Sequence, residues 1–222
     1  MPRVVPVSAD GAELAGLLAD VRAAATDTGG RLLLGIAGAP GAGKSTLAHE
    51  LARLHGPTAA VVPMDGFHLA DAVLDETGLR GRKGAPATFD AWGYASLLHR
   101  LRGRPDHTVY APGFERVLEQ PLAGALAVGA DVEVVVTEGS YLLLDGPAWR
   151  SARAALDAVW FVEADERARV ARLRARHEAF GKSPEQARDW VATVDEPNAA
   201  AVAATRDRAE LVLELSAWRP AR

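Results

Sequence analysis

The fold is decided by eight consecutive residues, Gly38-Ala39-Pro40-Gly41-Ala42-Gly43-Lys44-Ser45. They match the pattern G-x-x-x-x-G-K-[ST], whose glycines let backbone N–H groups turn toward phosphates. A short apolar run at residues 31–37 precedes the motif, and a predicted helix at residues 44–54 follows it. Strand, glycine-rich loop and helix in that order are the context this motif requires. We therefore predict that residues 38–45, together with Thr46, cradle the phosphates of a nucleoside triphosphate.

Three side chains in and near the motif have a predictable chemistry. Lys44 is expected to reach the β- and γ-phosphates as a catalytic cation, and Ser45 is expected to bind Mg²⁺. Glu138 follows the Val-rich run at residues 131–137. An acidic residue at the end of a neighbouring parallel strand commonly supports the metal or its water. The alternative for Glu138 is an ordinary strand-end carboxylate; beside a phosphate-binding loop we favour the metal role.

Outward from the motif, apolar runs alternate with helical periodicity. Strands are predicted at residues 31–37, 59–62, 131–137, 158–162 and 210–215. Helices are predicted at residues 8–28 (ended by Gly29-Gly30), 44–54, 90–102 (capped by Asp90), 165–180, 183–194 (opened by a capping box at Ser183) and from there to about 207. This alternation predicts an α/β fold, a three-layer P-loop sandwich with a mostly parallel sheet and helices on both faces.

Composition excludes several classes of protein. The 222 residues are 49% hydrophobic, yet no apolar run is long enough to cross a bilayer. The first ten residues lack the pattern of a signal peptide, and without cysteine there are no disulfides or thiolate metal sites. A net charge of −4 argues against a general nucleic-acid binder. The default expectation is a cytoplasmic protein without nucleic-acid or membrane partners.

A second acidic position follows the strand at residues 59–62. The segment Val62-Pro63-Met64-Asp65-Gly66-Phe67-His68 places the Asp65 carboxylate where ligands gather in an open parallel sheet. Phosphoryl transfer to a hydroxyl needs a group that accepts the proton, and Asp65 suits that role. His68 could orient a substrate hydroxyl. The alternatives are a turn or cap role for Asp65 and a surface loop position for His68.

The long segment at residues 66–90 shows little periodicity and is basic near its end. Loops of this length in a compact domain are usually functional or disordered. Arg82 and Lys83, the latter one of three lysines in the chain, are expected to hold an anionic substrate or phosphate, unless the loop is merely solvated. Farther on, Tyr110 and Arg116 belong to a segment that closes one wall of the pocket or forms a hairpin without chemical interest.

An arginine-rich helix is predicted at residues 165–180. At 100° per residue, Arg169, Arg172 and Arg176 share one face, whereas Arg167 and Arg174 lie on the opposite face. A stripe of three arginines before a Gly-Lys loop is typical of a lid that closes over phosphates and stabilises charge in the transition state. We interpret the opposite face as solvated.

Together these segments resemble the superfamily of phosphoribulokinase, uridine kinase and type I pantothenate kinase. The resemblance covers residues 32–212 and rests on MDGFH at 64–68, GL at 78–79, RKGAP at 82–86, FD at 89–90 and AP at 111–112, with Asn198, Thr205-Arg206 and Arg208-Ala209 near the end. It is similar above all to the small bacterial kinases called nucleoside/nucleotide kinase-like or fructose transport system kinases.

The resemblance implies roles for several residues. It makes Asp65 the catalytic base, places Glu138 near Mg²⁺, and assigns Arg172 and Arg176 to the lid. The sequence departs from pantothenate kinases at Arg116, where they carry histidine. It also shows no evident counterpart, around residues 174–180, of the aromatic cluster that lines their pocket.

The sequence thus predicts one kinase domain over residues 1–222, with a substrate loop at about 66–90 and a lid at about 169–183. Its expected reaction is Mg²⁺-dependent transfer of the γ-phosphate of ATP to a hydroxyl of a small metabolite: a sugar or polyol, a pantothenate-like acid, or a nucleoside. A homodimer is one assembly open to it. The alternative is a regulatory or chaperone ATPase without a small acceptor. No N-K-x-D or T-K-x-D guanine motif is present, which disfavours a switch GTPase.

Overall fold

The computed structural model describes residues 1–26 and 31–220, so the predicted helix stop at Gly29-Gly30 lies outside the described residues. The strands within these ranges are β1 (Arg3–Pro6), β2 (Leu32–Gly38), β3 (Ala59–Pro63), β4 (Val109–Glu115), β5 (Gln120–Val128), β6 (Val134–Glu138), β7 (Ala158–Glu163) and β8 (Leu211–Glu214). The helices within them are α1 (Ala12–Thr26), α2 (Lys44–His55), α3 (Asp71–Glu76), α4 (Ala91–Arg102), α5 (Pro147–Ala154), α6 (Glu166–Ala179), α7 (Pro184–Trp190) and α8 (Glu196–Ala203).

Six strands form a sheet in the order β1-β8-β7-β2-β6-β3, and every neighbouring pair in it is parallel. Strands β4 and β5 form a separate antiparallel hairpin. The predicted α/β sandwich with a parallel sheet is therefore confirmed. Because β2 lies in the middle of the sheet, both of its faces are covered, which explains its unbroken apolar sequence.

Two apolar cores cover the two faces of the sheet. One contains Leu33 and Phe161 packed with residues of α4 and α5, among them Leu98. The other contains Leu34 and Trp160 packed with residues of α1 and α2. Adjacent residues of one strand enter opposite cores because side chains alternate across a strand. The rigid sheet fixes the positions of the loops at its carboxyl edge, where the predicted site lies.

The ends of several helices follow the caps read from the sequence. The Asp90 carboxylate accepts a hydrogen bond from Gly93 N at 2.8 Å at the start of α4. Ser183 and Gln186 form the predicted capping box at the start of α7. These side chains satisfy N–H groups that the first helical turn leaves without partners.

The predicted break before Pro197 is wrong. Helix α7 passes into a π-helical turn at Val191–Asp195, which continues directly into α8. Pro197 is the second residue of α8, which follows the π turn directly. The wider π turn just before it lets one helical rod bend and continue.

Other elements lay outside the predictions. The sequence did not predict β1, α5 or strand β5, and the first helix begins at Ala12 rather than at residue 8. The 66–90 segment contains α3 and two short 3₁₀ turns, Arg80–Arg82 and Pro86–Thr88. In the described ranges 1–26 and 31–220, no helix combines the length and apolar character needed to span a membrane.

Candidate active site

Three strands that lie side by side end at the same place. Strand β6 lies between β2 and β3, and Glu138 is in register with Ile36 on one side and with Pro63 on the other. The phosphate-binding loop follows β2 and Asp65 follows β3, so the sheet order brings both to the edge where Glu138 lies. A cavity of about 590 Å³ opens over this edge.

The loop at residues 38–45 has the backbone that its glycines allow. Gly41 and Gly43 have φ angles of 77° and 103°, a left-handed conformation that glycine adopts at little cost. A Cβ atom on Gly41 would lie 2.9 Å from Leu173 Cγ, so α6 packs directly against the loop. The predicted phosphate-binding residues that line the cavity are Pro40, Gly41, Gly43, Lys44, Ser45 and Thr46. Those that do not line it are Gly38, Ala39 and Ala42.

Lys44 begins α2 and holds its ammonium group inside the cavity. Its Nζ donates to Ala39 O at 3.1 Å and to Ser140 Oγ at 3.2 Å. Burial lowers the pKa of Lys44, and the carboxylates of Glu138 and Asp65 oppose that effect. Because Lys44 is the first residue of α2, its ammonium and the helix N-terminus together favour an anion here.

Ser45 and Glu138 form the pair expected for a magnesium site. Ser45 Oγ donates to Glu138 Oε1 at 2.7 Å. Burial, with the nearby Asp65 charge, raises the pKa of Glu138, so a cation at this point would relieve an unfavourable concentration of negative charge. Hydroxyl and carboxylate oxygens are ligands that suit Mg²⁺.

The protein alone supplies few ligands for a metal. Within residues 1–26 and 31–220, no group of three or more His, Cys, Asp or Glu side chains is arranged to hold a metal ion. Mg²⁺ usually keeps several waters and binds through one or two protein groups plus substrate phosphates. Ser45 and Glu138 therefore fit a cation that arrives with a nucleotide better than one bound permanently.

Asp65 lies in the 3₁₀ turn Met64–Phe67 that follows β3. Its Oδ2 accepts a hydrogen bond from Arg116 at 3.1 Å. Burial alone would raise the pKa of Asp65, but His68, Arg116 and Lys44 outweigh it and hold that pKa below its usual range. This direction favours the ionised form of the carboxylate.

His68 lies beside Asp65 in an aromatic setting. Its ring nitrogen Nδ1 is 2.9 Å from Asp65 O, and its ring centroid lies 3.9 Å from that of Phe89 and 4.9 Å from that of Phe114. Burial lowers the pKa of His68, and the Asp65 charge opposes that effect. His68 also lines the cavity.

Lys83 also lines the cavity, but its charge is already paired. Its Nζ donates to Asp71 Oδ1 at 2.6 Å and to the backbone oxygen of Glu119 at the tip of the β4–β5 hairpin. Arg80 pairs with the other oxygen of Asp71 at 2.7 Å. Lys83 therefore joins the substrate loop to the hairpin, which is a different role from the predicted direct contact with an anion.

Two predicted substrate-binding residues do not reach the cavity. Arg82 is exposed in its 3₁₀ turn, and Tyr110 is 64% exposed on β4. Neither lines the cavity, whereas Arg80 and Arg116 do. Tyr110 faces outward because Val109 and Ala111, its neighbours along the strand, point into the core.

The arginine helix divides as its spacing predicts, with one exception. Arg172 and Arg176 line the cavity, whereas Arg167 and Arg174 are exposed and do not. Arg169 is buried, and it pairs with Glu196 at 2.7 Å and approaches Pro40 O at 3.4 Å. The predicted three-arginine stripe is therefore corrected to two cavity arginines and one arginine that anchors α6 to the phosphate-binding loop.

Sequence reasoning did not name several residues of the cavity as site residues, although Arg80 lies in the predicted substrate loop and His177 and Lys182 lie in the predicted lid. They are Asp71, Arg80, Ser140, Tyr141, His177, Lys182, Trp190 and Asp195. Ser140 and Tyr141 follow Glu138 at a strand end, a position that signals a site. No local signal marked Asp195, because its neighbours in space come from α6 and from the loop after β6.

Comparisons with known proteins agree with this geometry. No protein-family profile matches the chain. A candidate uridine kinase of Schizosaccharomyces pombe is 34% identical over 160 residues, which cover 68% of this chain and 68% of that protein. An ATP-dependent kinase-like protein of Aspergillus versicolor is 38% identical over 131 residues, 56% of this chain and 76% of that protein.

Solved structures give the same result. A candidate fructose transport system kinase from Silicibacter sp. TM1040 is 38% identical, covers 90% of this chain and 98% of its own, and superposes with a TM-score of 0.79. The kinase-like YFH7 protein of Saccharomyces cerevisiae, at 18% identity and a TM-score of 0.75, shares the fold. On these similarities the chain belongs to the P-loop kinases of the phosphoribulokinase, uridine kinase and type I pantothenate kinase superfamily.

Proposed function

We propose that this protein transfers the γ-phosphate of ATP to a hydroxyl group of a small metabolite and requires Mg²⁺. The observation that carries the proposal is the position of the Asp65 carboxylate, which lines the same cavity as Lys44 and the Ser45–Glu138 pair. A phosphate cradle alone serves many activities. A proton acceptor that faces the cradle is what transfer to a hydroxyl needs in addition.

Each group has a distinct part in this reaction. Lys44 and the N-terminus of α2 bind the β- and γ-phosphates and neutralise part of their charge. Ser45 and Glu138 would hold Mg²⁺, which when bound draws charge from the phosphate oxygens. Asp65 accepts the proton of the attacking hydroxyl, and the Arg116 hydrogen bond keeps its carboxylate in place.

Arg172 and Arg176 act from the opposite wall of the cavity. Both belong to α6, which packs against the phosphate-binding loop through Leu173 and Arg169. Arginines in this position stabilise negative charge that develops on the transferred phosphoryl group. The packing of α6 against the loop keeps both arginines on the cavity side of the helix.

The names of the relatives support an enzyme that acts on a small molecule. They include a candidate uridine kinase, a pantothenate kinase of Mycolicibacterium vanbaalenii at 30% identity over 52% of this chain, and a candidate fructose transport system kinase. The alternative remains a regulatory ATPase without a small acceptor. Such a protein has no use for a proton acceptor in the phosphate cavity.

The test is acceptor-dependent release of ADP. Purified protein with ATP and Mg²⁺ is assayed against a panel of sugars, polyols, hydroxy acids and nucleosides, with water alone as the blank. We expect at least one compound to raise ADP release well above the blank and to become phosphorylated in equimolar amount. A blank rate that no compound raises would instead support the regulatory ATPase.

A further inference from the structure

The part of the cavity wall formed by α6 and the π-helical turn contains a buried carboxylate with a free oxygen. Asp195 is 7% exposed and lines the cavity. Its Oδ2 lies 2.8 Å from His177 Nε2 on α6. Its other oxygen, Oδ1, makes no hydrogen bond within residues 1–26 and 31–220. In those ranges every side-chain nitrogen or oxygen that is closed to solvent has a hydrogen-bond partner, so Oδ1 is not closed to solvent. Oδ1 therefore keeps access to the cavity.

The backbone around Asp195 is unusual. Asp195 is the last residue of the π-helical turn Val191–Asp195 between α7 and α8. A π turn is rare in proteins and occurs frequently at functional sites, since it is less well packed than an α-helix and persists where it positions a side chain. The turn and the contact with His177 together fix the direction of the carboxylate.

The groups around Asp195 form one wall of the cavity. Trp190 lies one turn earlier, with its ring centroid 6.3 Å from that of His177 and with Lys182 Nζ 4.7 Å from the Trp190 centroid. Tyr141 lines the same cavity as Asp65 and Asp195, and its hydroxyl donates a hydrogen bond to Gly84 O. Burial, with the charges of both Asp195 and Asp65, raises the pKa of that hydroxyl. A ligand that fills the cavity therefore meets both carboxylates.

A buried carboxylate oxygen without a partner selects its ligand. It accepts hydrogen bonds from hydroxyl groups and repels carboxylate or phosphate groups, because two buried like charges are unfavourable. The nearby Lys182 ammonium is directed at the Trp190 ring. An aromatic ring next to a carboxylate offers an apolar surface and an acceptor together.

We propose that Asp195 is a substrate-binding residue that accepts hydrogen bonds from hydroxyls other than the reacting one, so that the acceptor is a polyhydroxylated sugar or polyol. His177 is the positioning residue that holds Asp195. The inference rests on the proposed kinase function and adds the class of acceptor to it.

The experiment compares two isosteric variants with the wild-type protein. Asp195→Asn keeps the shape but removes the charge, and Asp189→Asn makes the same change at an exposed position of α7 outside the cavity. ADP release is measured with D-fructose, D-ribose, D-sorbitol and glycerol, and with D-glycerate, pantothenate and uridine. Melting temperature and ATP affinity by calorimetry show whether each variant is folded and binds nucleotide.

We expect a sugar or polyol to be the best wild-type acceptor. Hydrogen bonds to charged groups contribute enough that Asp195→Asn should raise the KM of that acceptor by about 10- to 100-fold, with kcat changed by less than about threefold. Asp189→Asn should leave both unchanged. A deoxy analogue that lacks the hydroxyl bound by Asp195 should have a high KM with the wild-type protein. Its KM should not rise further in Asp195→Asn, because the hydrogen bond is already absent.

Other outcomes would overturn the inference in distinguishable ways. If D-glycerate or pantothenate is the best acceptor, or if Asp195→Asn leaves the KM of a sugar unchanged, the acceptor class is wrong while the kinase function stands. The same holds if Asp195→Asn changes only melting temperature, which would make the His177 contact structural. If no compound stimulates wild-type ADP release, the kinase function fails and this inference fails with it.

Discussion

The substitution Asp65→Asn removes a proton acceptor and keeps the size of the side chain. Asparagine can still accept a hydrogen bond from Arg116, which lies 3.1 Å from the carboxylate. It cannot take the proton of an attacking hydroxyl. If Asp65 is the base, the chemical step should slow while the phosphate-binding residues stay in place.

The expected size of the effect separates catalysis from structure. A positioned general base contributes about 10²–10⁴-fold to the rate. The ion pair with Arg116 is partly open to solvent, with side-chain exposures of 40% for Arg116 and 30% for Asp65. Pairs of this kind contribute about 0.2–1 kcal/mol, or at most about fivefold. A loss of two or more orders of magnitude is therefore larger than the ion pair alone is expected to cause.

The assay measures acceptor-dependent ADP release and, separately, ATP affinity by calorimetry. In Asp65→Asn, kcat and kcat/KM should fall together by about 10²–10⁴-fold, since the lost interaction belongs to the transition state. ATP affinity should hold or improve slightly, because a negative charge near the phosphates is gone. Arg116→Gln breaks the same pair but keeps the base, and Asp75→Asn changes a carboxylate outside the cavity.

Full acceptor-dependent turnover in Asp65→Asn would refute the assignment, and Glu138 would be the next carboxylate to test as the base. Loss of ATP binding in the same variant would indicate that Asp65 is chiefly a metal or structural ligand. An equal loss in Arg116→Gln would show that the placement of Asp65 by Arg116, rather than proton transfer, limits the rate.

Three further predictions concern the phosphate side and pH. Lys44→Ala should abolish phosphoryl transfer because the β- and γ-phosphates lose their nearest cation; near-normal turnover in the same assay would contradict the cradle. Arg172→Ala and Arg176→Ala should each lower kcat by more than the exposed control Arg167→Ala, and equal effects in all three would remove the lid. The pKa of Asp65 lies below its ordinary value of 3.8, so its ionised form, and the stability linked to it, is present above that value and lost as pH falls further. The pH profile of kcat/KM at saturating Mg²⁺ should therefore show no decrease caused by protonation of Asp65 above about pH 4. If the wild-type profile does fall above that pH and the fall is absent in Asp65→Asn, the pKa of Asp65 is raised and the expectation is wrong.

The phosphate side of the site was predictable because its signals are local. A strand, a glycine loop and a helix follow one another without interruption, so Lys44 and Ser45 are positioned by their own neighbours. Glu138 and Asp65 were predictable for a related reason. Carboxyl ends of parallel strands meet at one edge, so a carboxylate at each end is brought there whatever the order of the strands.

Helical spacing predicted a face but not its environment. Arg169, Arg172 and Arg176 share one side of α6, as 100° per residue requires. Arg169 lies in the first turn of α6, where the helix contacts Pro40, and is buried there. The sequence predicts which residues share a face of the helix. How deeply each of these residues is buried depends on the elements that pack against that face, which the sequence spacing does not give.

The side of the cavity formed by residues 66–90 and the β4–β5 hairpin depends on contacts between distant segments. Lys83 contacts the hairpin 36 residues later, and that contact changes a lysine in a basic loop into a link between two elements. Nothing in the sequence of the loop distinguishes Arg82 from Lys83. The contact with Glu119 at the tip of the hairpin pairs Lys83, whereas Arg82 is exposed. Secondary-structure periodicity carries no information about such a partner.

The His177–Asp195 pair shows why acceptor choice is the hardest property to predict. The two residues are 18 positions apart, on helices joined by a loop, and they meet only because a π turn follows α7. Periodicity predicted a helix end near Val194, which would have left Asp195 in a solvated loop. Since the same parallel sheet and phosphate-binding loop serve many kinases, discrimination between acceptors must come from side chains on the elements that close the cavity. In this protein those elements bring the Asp195 carboxylate into the cavity, with the Lys182 ammonium over the neighbouring Trp190 ring, and the proposed sugar or polyol would donate hydrogen bonds to that carboxylate.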